Sequence, residues 1–169
     1  MNNKNFTLQL TKSSDFEAFL NLKSETENIY WSGFNSVPDR NILWSHFIES
    51  IYSKTRYFFL LFEGEQAIGY LYIDYIMLTR AIEIAYGISK TKSGSGLAKT
   101  MINLGLSYIE LEYDTIIAWI AISNIASIKS VESLGFKRTG EEEYRTFLQE
   151  VEQIKFCKYI KKKGDTNEL

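Results

Sequence analysis

One cysteine, one histidine and one proline (Cys157, His46 and Pro38) are all that the 169 residues contain of these types. A lone cysteine excludes an intramolecular disulfide, and one Cys with one His is too few for a Cys/His zinc site. A Cys–His nucleophile pair remains open by count. Cys157, however, falls in the alternating run Ile154-Lys155-Phe156-Cys157-Lys158-Tyr159-Ile160, which reads as a strand with a packed thiol. His46, beside Phe47 in a helical pattern, reads as a structural or surface residue. No run approaches the ~18 apolar residues of a membrane span. Met1-Asn2-Asn3-Lys4-Asn5 has no apolar stretch behind it, so no signal peptide and a cytoplasmic location are expected. Neither sign of charge dominates: 19 Lys and Arg stand against 21 Asp and Glu, a formal charge of −2. Nucleic-acid binders usually carry a basic patch, so no nucleic-acid partner is expected, nor a membrane. The one basic cluster, Lys161, Lys162 and Lys163, reads as a solvated tail.

What is abundant is apolar material: 45% of the residues are hydrophobic and 15% aromatic, enough for a substantial core. Residues 6–11 alternate as a half-buried strand does. Ser13 and Ser14 offer an N-cap to a helical stripe that starts at Phe16, Phe19 and Leu20 and is predicted to run to about Ile29. An aromatic loop follows, Tyr30-Trp31-Ser32-Gly33-Phe34-Asn35. Pro38 precedes a second helix with Leu43, Phe47, Ile48 and Ile51 on one face. From Arg56 the period changes. Residues 57–62 are nearly all apolar, Glu63-Gly64-Glu65-Gln66 reads as a hairpin turn, and 67–76 as the return strand. Ile82-Glu83-Ile84-Ala85-Tyr86-Gly87-Ile88 is a further strand. Leu97, Met101, Leu104, Tyr108 and Leu111 then make an apolar helical stripe. Residues 115–122 read as a buried strand, and 124–134 as a short helix with Ile128, Val131 and Leu134 inward, ended by Gly135. Segments 136–149 and 152–161 look like two last strands. The predicted order is β-α-α-β-β-β-α-β-α-β-β, with a β-α-β crossover that makes the sheet mixed. No linker or repeat divides the chain, so one domain over residues 1–169, with its core at about 6–161, is expected.

The segment that carries chemistry is strand, glycine-containing loop and helix, residues 82–111. A helix N-terminus presents unpaired N–H groups and the positive end of the dipole, a ready anion site. Gly94 and Gly96 allow close approach to the backbone, Lys90 and Lys92 add charge, and Ser93 and Ser95 add hydroxyls. Together these suit a pyrophosphate. The loop is neither a Walker loop nor a Rossmann fingerprint, for a third glycine of the latter would fall at Lys99.

The same segment resembles the acetyl-CoA-binding motif of the GNAT superfamily, in which a strand leads into Gln/Arg-x-x-Gly-x-Gly/Ala and a helix. Thr91, Gly94 and Gly96 hold the matching positions, and Thr91 departs from the usual Gln or Arg. A second stretch, Asn124-Ile125-Ala126-Ser127 through Leu134-Gly135-Phe136, resembles the family's Asn-x-x-Ser/Ala helix ending in Leu-Gly-Phe. Residues 82–88 look like the branch that includes ribosomal-protein N-terminal acetyltransferases. The resemblance covers about residues 6–161. It implies an α/β fold with a mixed central sheet of six or seven strands and helices on both faces. It also implies acetyl-CoA as co-substrate with no metal, and transfer to a primary amine of a small molecule, an amino sugar or a protein N-terminus. O-transfer and a non-catalytic acetyl-CoA-binding module are the alternatives. Homodimers are frequent in the superfamily.

Carried over residue by residue, the resemblance gives Tyr86 to Ile88 backbone bonds to the pantetheine arm. Thr91, Lys92, Ser93, Gly94, Ser95, Gly96 and Leu97 would hold the pyrophosphate, and Asn124 would contact the arm near the sulfur. Glu83 is the candidate base, with an exposed strand carboxylate as the competing reading and Asp74 as runner-up. Val131 stands where the family's acid, a Tyr, is usual. Ser127 is the substitute candidate, against a plain helix-start role, and Tyr144 is a further one. Tyr30, Trp31 and Phe34 are the candidate acceptor-binding residues, and the acidic Glu25, Glu27 and Asp39 nearby suit a cationic acceptor.

Overall fold

The computed structural model describes residues 6–164. Seven strands form one sheet: β1 (Phe6–Leu10), β2 (Arg56–Glu63), β3 (Gln66–Ile76), β4 (Ala81–Ile88), β5 (Thr115–Ala121), β6 (Lys137–Arg145) and β7 (Ile154–Lys162). Their spatial order is β1-β2-β3-β4-β5-β7-β6. Only β4 and β5 run parallel; every other neighbouring pair is antiparallel. Among the described residues five α-helices accompany the sheet: α1 (Phe16–Lys23), α2 (Thr26–Trp31), α3 (Arg40–Tyr52), α4 (Leu97–Ser107) and α5 (Ile125–Glu132).

The nearly unbroken apolar run of β2 has a simple cause, because both faces of the sheet are covered. On one face Phe58, Leu60, Tyr70 and Tyr72 pack against Phe16, Phe19 and Leu22 of α1 and Leu43 and Phe47 of α3. On the other, Phe59, Leu61, Leu71 and Ile73 join Ile82, Ile84, Ile116 and Ala118 beneath Met101 and Ile102 of α4 and Val131 of α5. Phe19 and Phe47 are fully buried, and each such side chain is worth about 1.5–3 kcal/mol. Cys157 is buried in the same core, as the alternation of β7 implies.

Four expectations need correction. The first predicted helix is two. α1 ends at Ser24, whose hydroxyl donates to the Leu20 carbonyl at 2.7 Å, and Glu25 is extended (φ −68°, ψ 141°) before α2 begins. The buried Asn28 side chain donates to the Leu22 carbonyl at 3.0 Å, beside the Glu25 N–H, which donates to the same oxygen at 3.3 Å. In α4 the inward face is Leu97, Met101, Ile102 and Gly105; Leu104, Tyr108 and Leu111 are exposed, and the helix stops before Tyr108. Gly105 decides this, since a Cβ there would lie 2.4 Å from Leu71 Cδ2 and bar the helix from the sheet. The strand predicted over 136–149 ends at Arg145. Beyond it Phe147 turns inward against Tyr30 and Trp31, and the Leu148 N–H donates to Gly33 O at 2.9 Å. Lys161 is no tail residue: it lies in β7 and its ammonium donates to the Leu134 carbonyl at 2.7 Å, next to the end of α5.

Candidate active site

The parallel pairing of β4 with β5 runs from Ala81↔Thr115 to Ile84↔Ala118 and then stops. Both strands continue, β4 bonded to β3 as far as Ile88 and β5 to β7 as far as Ala121. The sheet is therefore split between them. A cavity of about 900 Å³ occupies the split, with α4 and α5 at one end and α2 at the other.

At the α4 end the chain leaves β4 through a short turn at residues 90–92 and reaches Gly96, the residue before the helix. Gly94 and Gly96 have φ of +75° and +77°, and a Cβ at either would meet nothing within 4 Å. Positive φ is the reason for glycine here; the open space is what lets a ligand approach the backbone. Thr100 is the first residue of α4 whose N–H is accepted, by Gly96 O at 3.3 Å. The amides of Leu97, Ala98 and Lys99 precede it at the positive end of the helix. Leu97, Gly94, Gly96 and Ser93 line the cavity, whereas Thr91 and Ser95 do not. The Ser95 hydroxyl donates to Lys92 O at 2.5 Å, and Thr91 shares a 3.1 Å hydrogen bond with Ser89. The two loop lysines carry less net charge to this end than the sequence implies. Lys90 Nζ pairs with Glu27 at 2.7 Å, which holds the Glu27 carboxyl below its ordinary range, and Lys92 Nζ pairs with Glu63.

On α5 the Asn124 side chain caps the helix, accepting from the Ser127 N–H at 3.1 Å. Asn124 and Ser127 both line the cavity. Val131 is fully buried in the core below them. Beside Ser127 stands Tyr86, whose hydroxyl donates to the Ser127 carbonyl at 3.3 Å; burial pushes its pKa up to about 12. Tyr86 lines the cavity with its side chain, and Lys99, Lys129 and Ser130 line it without a role expected from the sequence. Alternation from Ile82 and Ile84 places Tyr86 on the α4–α5 face, a signal that was legible. Nothing in the sequence says which side of α5 meets α4.

At the α2 end the lining includes Trp31, Asn28 and Tyr70 but neither Tyr30 nor Phe34. Tyr30 donates its hydroxyl to Glu150 at 2.8 Å and packs edge-on against Phe147. Phe34 is 52% exposed. Gly87 makes the close fit possible: a Cβ there would lie 2.4 Å from the Tyr70 ring and 2.6 Å from Asn28 Oδ1.

Glu83 sits at the root of the split, opposite Asp74 on β3 and Ile117 on β5. It projects to the α1–α3 face, outside the lining of the cavity, with the exposed Ala85 between it and Gly87 on the same face. Burial raises its pKa, partly countered by Arg145, and its carboxylate has no hydrogen-bond partner among the described residues. Asp74, the runner-up, is clamped by Arg56 at 2.6 and 2.8 Å. Tyr144 is exposed on the edge strand β6, its ring under the Lys155 ammonium. His46 is exposed on α3, edge-on to Tyr72. Among the described residues no three His, Cys, Asp or Glu side chains are grouped to hold a metal ion, and no helix is long and apolar enough to cross a membrane.

A sheet parted beyond its one parallel pairing, with bare helix amides at the mouth of the split, is the architecture of an acyl-CoA-dependent transferase. The model of the acetyltransferase (GNAT) domain matches residues 5–137, and the chain belongs to that family. Solved structures share the fold over nearly the whole length. A spermidine N-acetyltransferase from Vibrio cholerae, in complex with CoA and spermine, superposes with a TM-score of 0.79 at 20% identity, covering 95% of this chain and 96% of that one. A ribosomal-protein-S5-alanine acetyltransferase from Vibrio fischeri gives 0.77 at 16%, covering 98% and 97%. A comparison with curated proteins finds no match.

Proposed function

We propose that the protein transfers the acetyl group of acetyl-CoA to a primary amine by direct attack, within the split between β4 and β5. The observation that carries this reading is the cavity itself, which joins the bare amides of α4 to the aromatic end at α2. The amides of Leu97, Ala98 and Lys99, with the open backbone at Gly94 and Gly96, fit a diphosphate. Ile88 and Asn124 flank the path from there into the split, where the pantetheine arm would run.

An ammonium is not a nucleophile, so the acceptor must lose a proton first. Glu83 takes that role: desolvation makes its carboxylate a stronger base, and Arg56 has removed Asp74 from the competition. The amine lone pair attacks the thioester carbonyl carbon, a C–N bond forms and the C–S bond breaks. Glu83 takes the ammonium proton along water over Ala85 before the attack; the second N–H proton, lost as the amide forms, follows the electron pair to the sulfur, so that CoA leaves as its thiol. Ser127, a lining residue, donates a hydrogen bond to the departing sulfur in this reading. A thiolate is a good leaving group, so the loss of a tyrosine at position 131 is tolerable. A non-catalytic acetyl-CoA-binding module would share the cavity, but it gives no role to a desolvated carboxylate at the root of the split.

Binding of acetyl-CoA by calorimetry, with Gly94→Glu and Gly96→Glu beside the parent chain, tests the reading. Binding by the parent and its loss in both variants is expected, followed by transfer to members of a broad amine panel. A folded parent that binds no acetyl-CoA removes the proposal. One structural neighbour, a spermidine N-acetyltransferase, is dodecameric; self-association of this chain, as a dimer or more, is read by light scattering of the same sample.

A further inference from the structure

The charge around the α2 end points to the kind of amine. By sequence alone, Glu25, Glu27 and Asp39 in this segment suit a cationic acceptor. In the fold each of them is engaged. Glu25 accepts from the Ser89 hydroxyl at 2.7 Å and the Lys90 N–H at 2.9 Å. Glu27 pairs with the Lys90 ammonium, so that pair is neutral although Glu27 Oε2 has no hydrogen bond. Asp39 caps α3 through the N–H groups of Asn41 and Ile42, and Glu17 pairs with Arg40.

Lys23, at the last turn of α1, is left over. Its ammonium donates to Ser32 Oγ at 2.5 Å and to Tyr70 Oη at 3.4 Å, and lies 4.7 Å from the centre of the Tyr70 ring. No carboxylate pairs with it among the described residues. Both oxygens are neutral partners, and the Ser32 hydroxyl is itself spent on the Asn28 carbonyl at 2.6 Å. Among the described residues, two of the three ammonium N–H groups have acceptors and the third has none. Tyr70 and Asn28 are lining residues, so this uncompensated cation stands directly behind the aromatic end of the cavity. Tyr70 lies opposite Gly87, four residues and about 13 Å along β4 from Glu83. An unpaired carboxylate thus stands at the root of the split and an unpaired ammonium near its α2 end.

We infer that the acceptor is an amine that also carries an anionic group, a carboxylate or a phosphate, which Lys23 receives while the amine is delivered to the thioester. This rests on the acetyl-transfer reading and narrows its substrate class. A polyamine brings only further positive charge toward Lys23, which repels it.

The test uses matched compounds on the full chain: 6-aminohexanoate, 6-aminohexyl phosphate and 1,6-diaminohexane, identical in length and differing in the far group. Transfer to at least one anionic compound is expected with a kcat/KM at least tenfold above that for the diamine. Lys23→Met should remove the preference and Lys23→Glu reverse it, with acetyl-CoA affinity unchanged in both. The carboxylate and phosphate arms tell the two anions apart. Equal transfer to all three compounds, or a preference for the diamine, overturns the inference while leaving acetyl transfer standing. Calorimetry on the CoA-bound protein separates the reverse case: selective binding of an anionic compound without any transfer keeps the charge selection and removes the transferase reading. Binding of none of the three overturns the charge selection.

Discussion

Glu25 reaches across to Ser89, its Oε1 accepting the serine hydroxyl at 2.7 Å while its Oε2 accepts the Lys90 N–H at 2.9 Å. One carboxylate thereby ties the break between α1 and α2 to the first residues of the loop that leads to α4. Ser89 is fully buried, so the contact is shielded from solvent on that side. Charge-assisted hydrogen bonds of this kind contribute about 1.5–3 kcal/mol each. Glu25→Ala is expected to weaken acetyl-CoA binding by at least about tenfold, and Glu25→Gln by less, since the amide oxygen still accepts one bond. Calorimetry measures both; an unchanged affinity in Glu25→Ala would show that the loop holds its shape without the tie.

Gly96 and Gly140 both have open space where a Cβ would go, but only Gly96 has a positive φ. Gly96→Ala should therefore cost about 1–2 kcal/mol of stability from the left-handed backbone alone. Gly140→Ala should be close to neutral. Paired thermal melts check this, and equal melting temperatures would mean that the loop relaxes to accept the methyl group.

Gly87→Ala acts in a different way. Its methyl would strike the Tyr70 ring and Asn28 Oδ1, two buried side chains with little freedom to move. Overpacking of this sort costs about 1–3 kcal/mol. It should also displace α2, raising KM for the amine far more than for acetyl-CoA. Steady-state kinetics with each substrate varied in turn separate the two effects.

Glu83→Gln is expected to lower kcat/KM by about 100-fold or more, the range of a lost general base. In the parent the rate should climb with pH through an inflection above the ordinary glutamate value, because burial raises the Glu83 pKa. That limb should vanish in the variant. Stability moves the other way. A raised folded-state pKa means that the folded chain binds more protons than the unfolded one between the two values, so stability falls as pH rises from the ordinary value to the folded one. Above that window Glu83→Gln should melt no lower than the parent. A variant that loses activity and stability together at neutral pH would mark Glu83 as structural.

Local pattern was enough for most elements. The shift from helical to strand period at Arg56, the Gly64 turn, and Gly135 at φ 87° closing α5 all follow from backbone preferences that act within a few residues. So does the stretch from β4 to α4, since glycines at 94 and 96 and an apolar stripe behind them need no distant partner. The contacts that shape the site are of another kind. Glu25 lies 64 residues from Ser89, Lys23 lies 47 from Tyr70, and Tyr30 lies 120 from Glu150. Helical periodicity could not place the break at Ser24, because what stabilises it is Asn28 folding back on Leu22 and Glu25 turning to a loop far along the chain. Nor could it choose the inward face of α4, which the missing side chain of Gly105 sets against Leu71. The sequence by itself determined the seven strands in their order, the helices after residue 40 and the glycine loop, since these rest on short-range backbone energetics. Which charges are spent and which remain, with Asp74 clamped, Lys90 and Lys92 paired, and Glu83 and Lys23 left unmatched, was decided only when the sheet brought distant strands and helices within reach of one another.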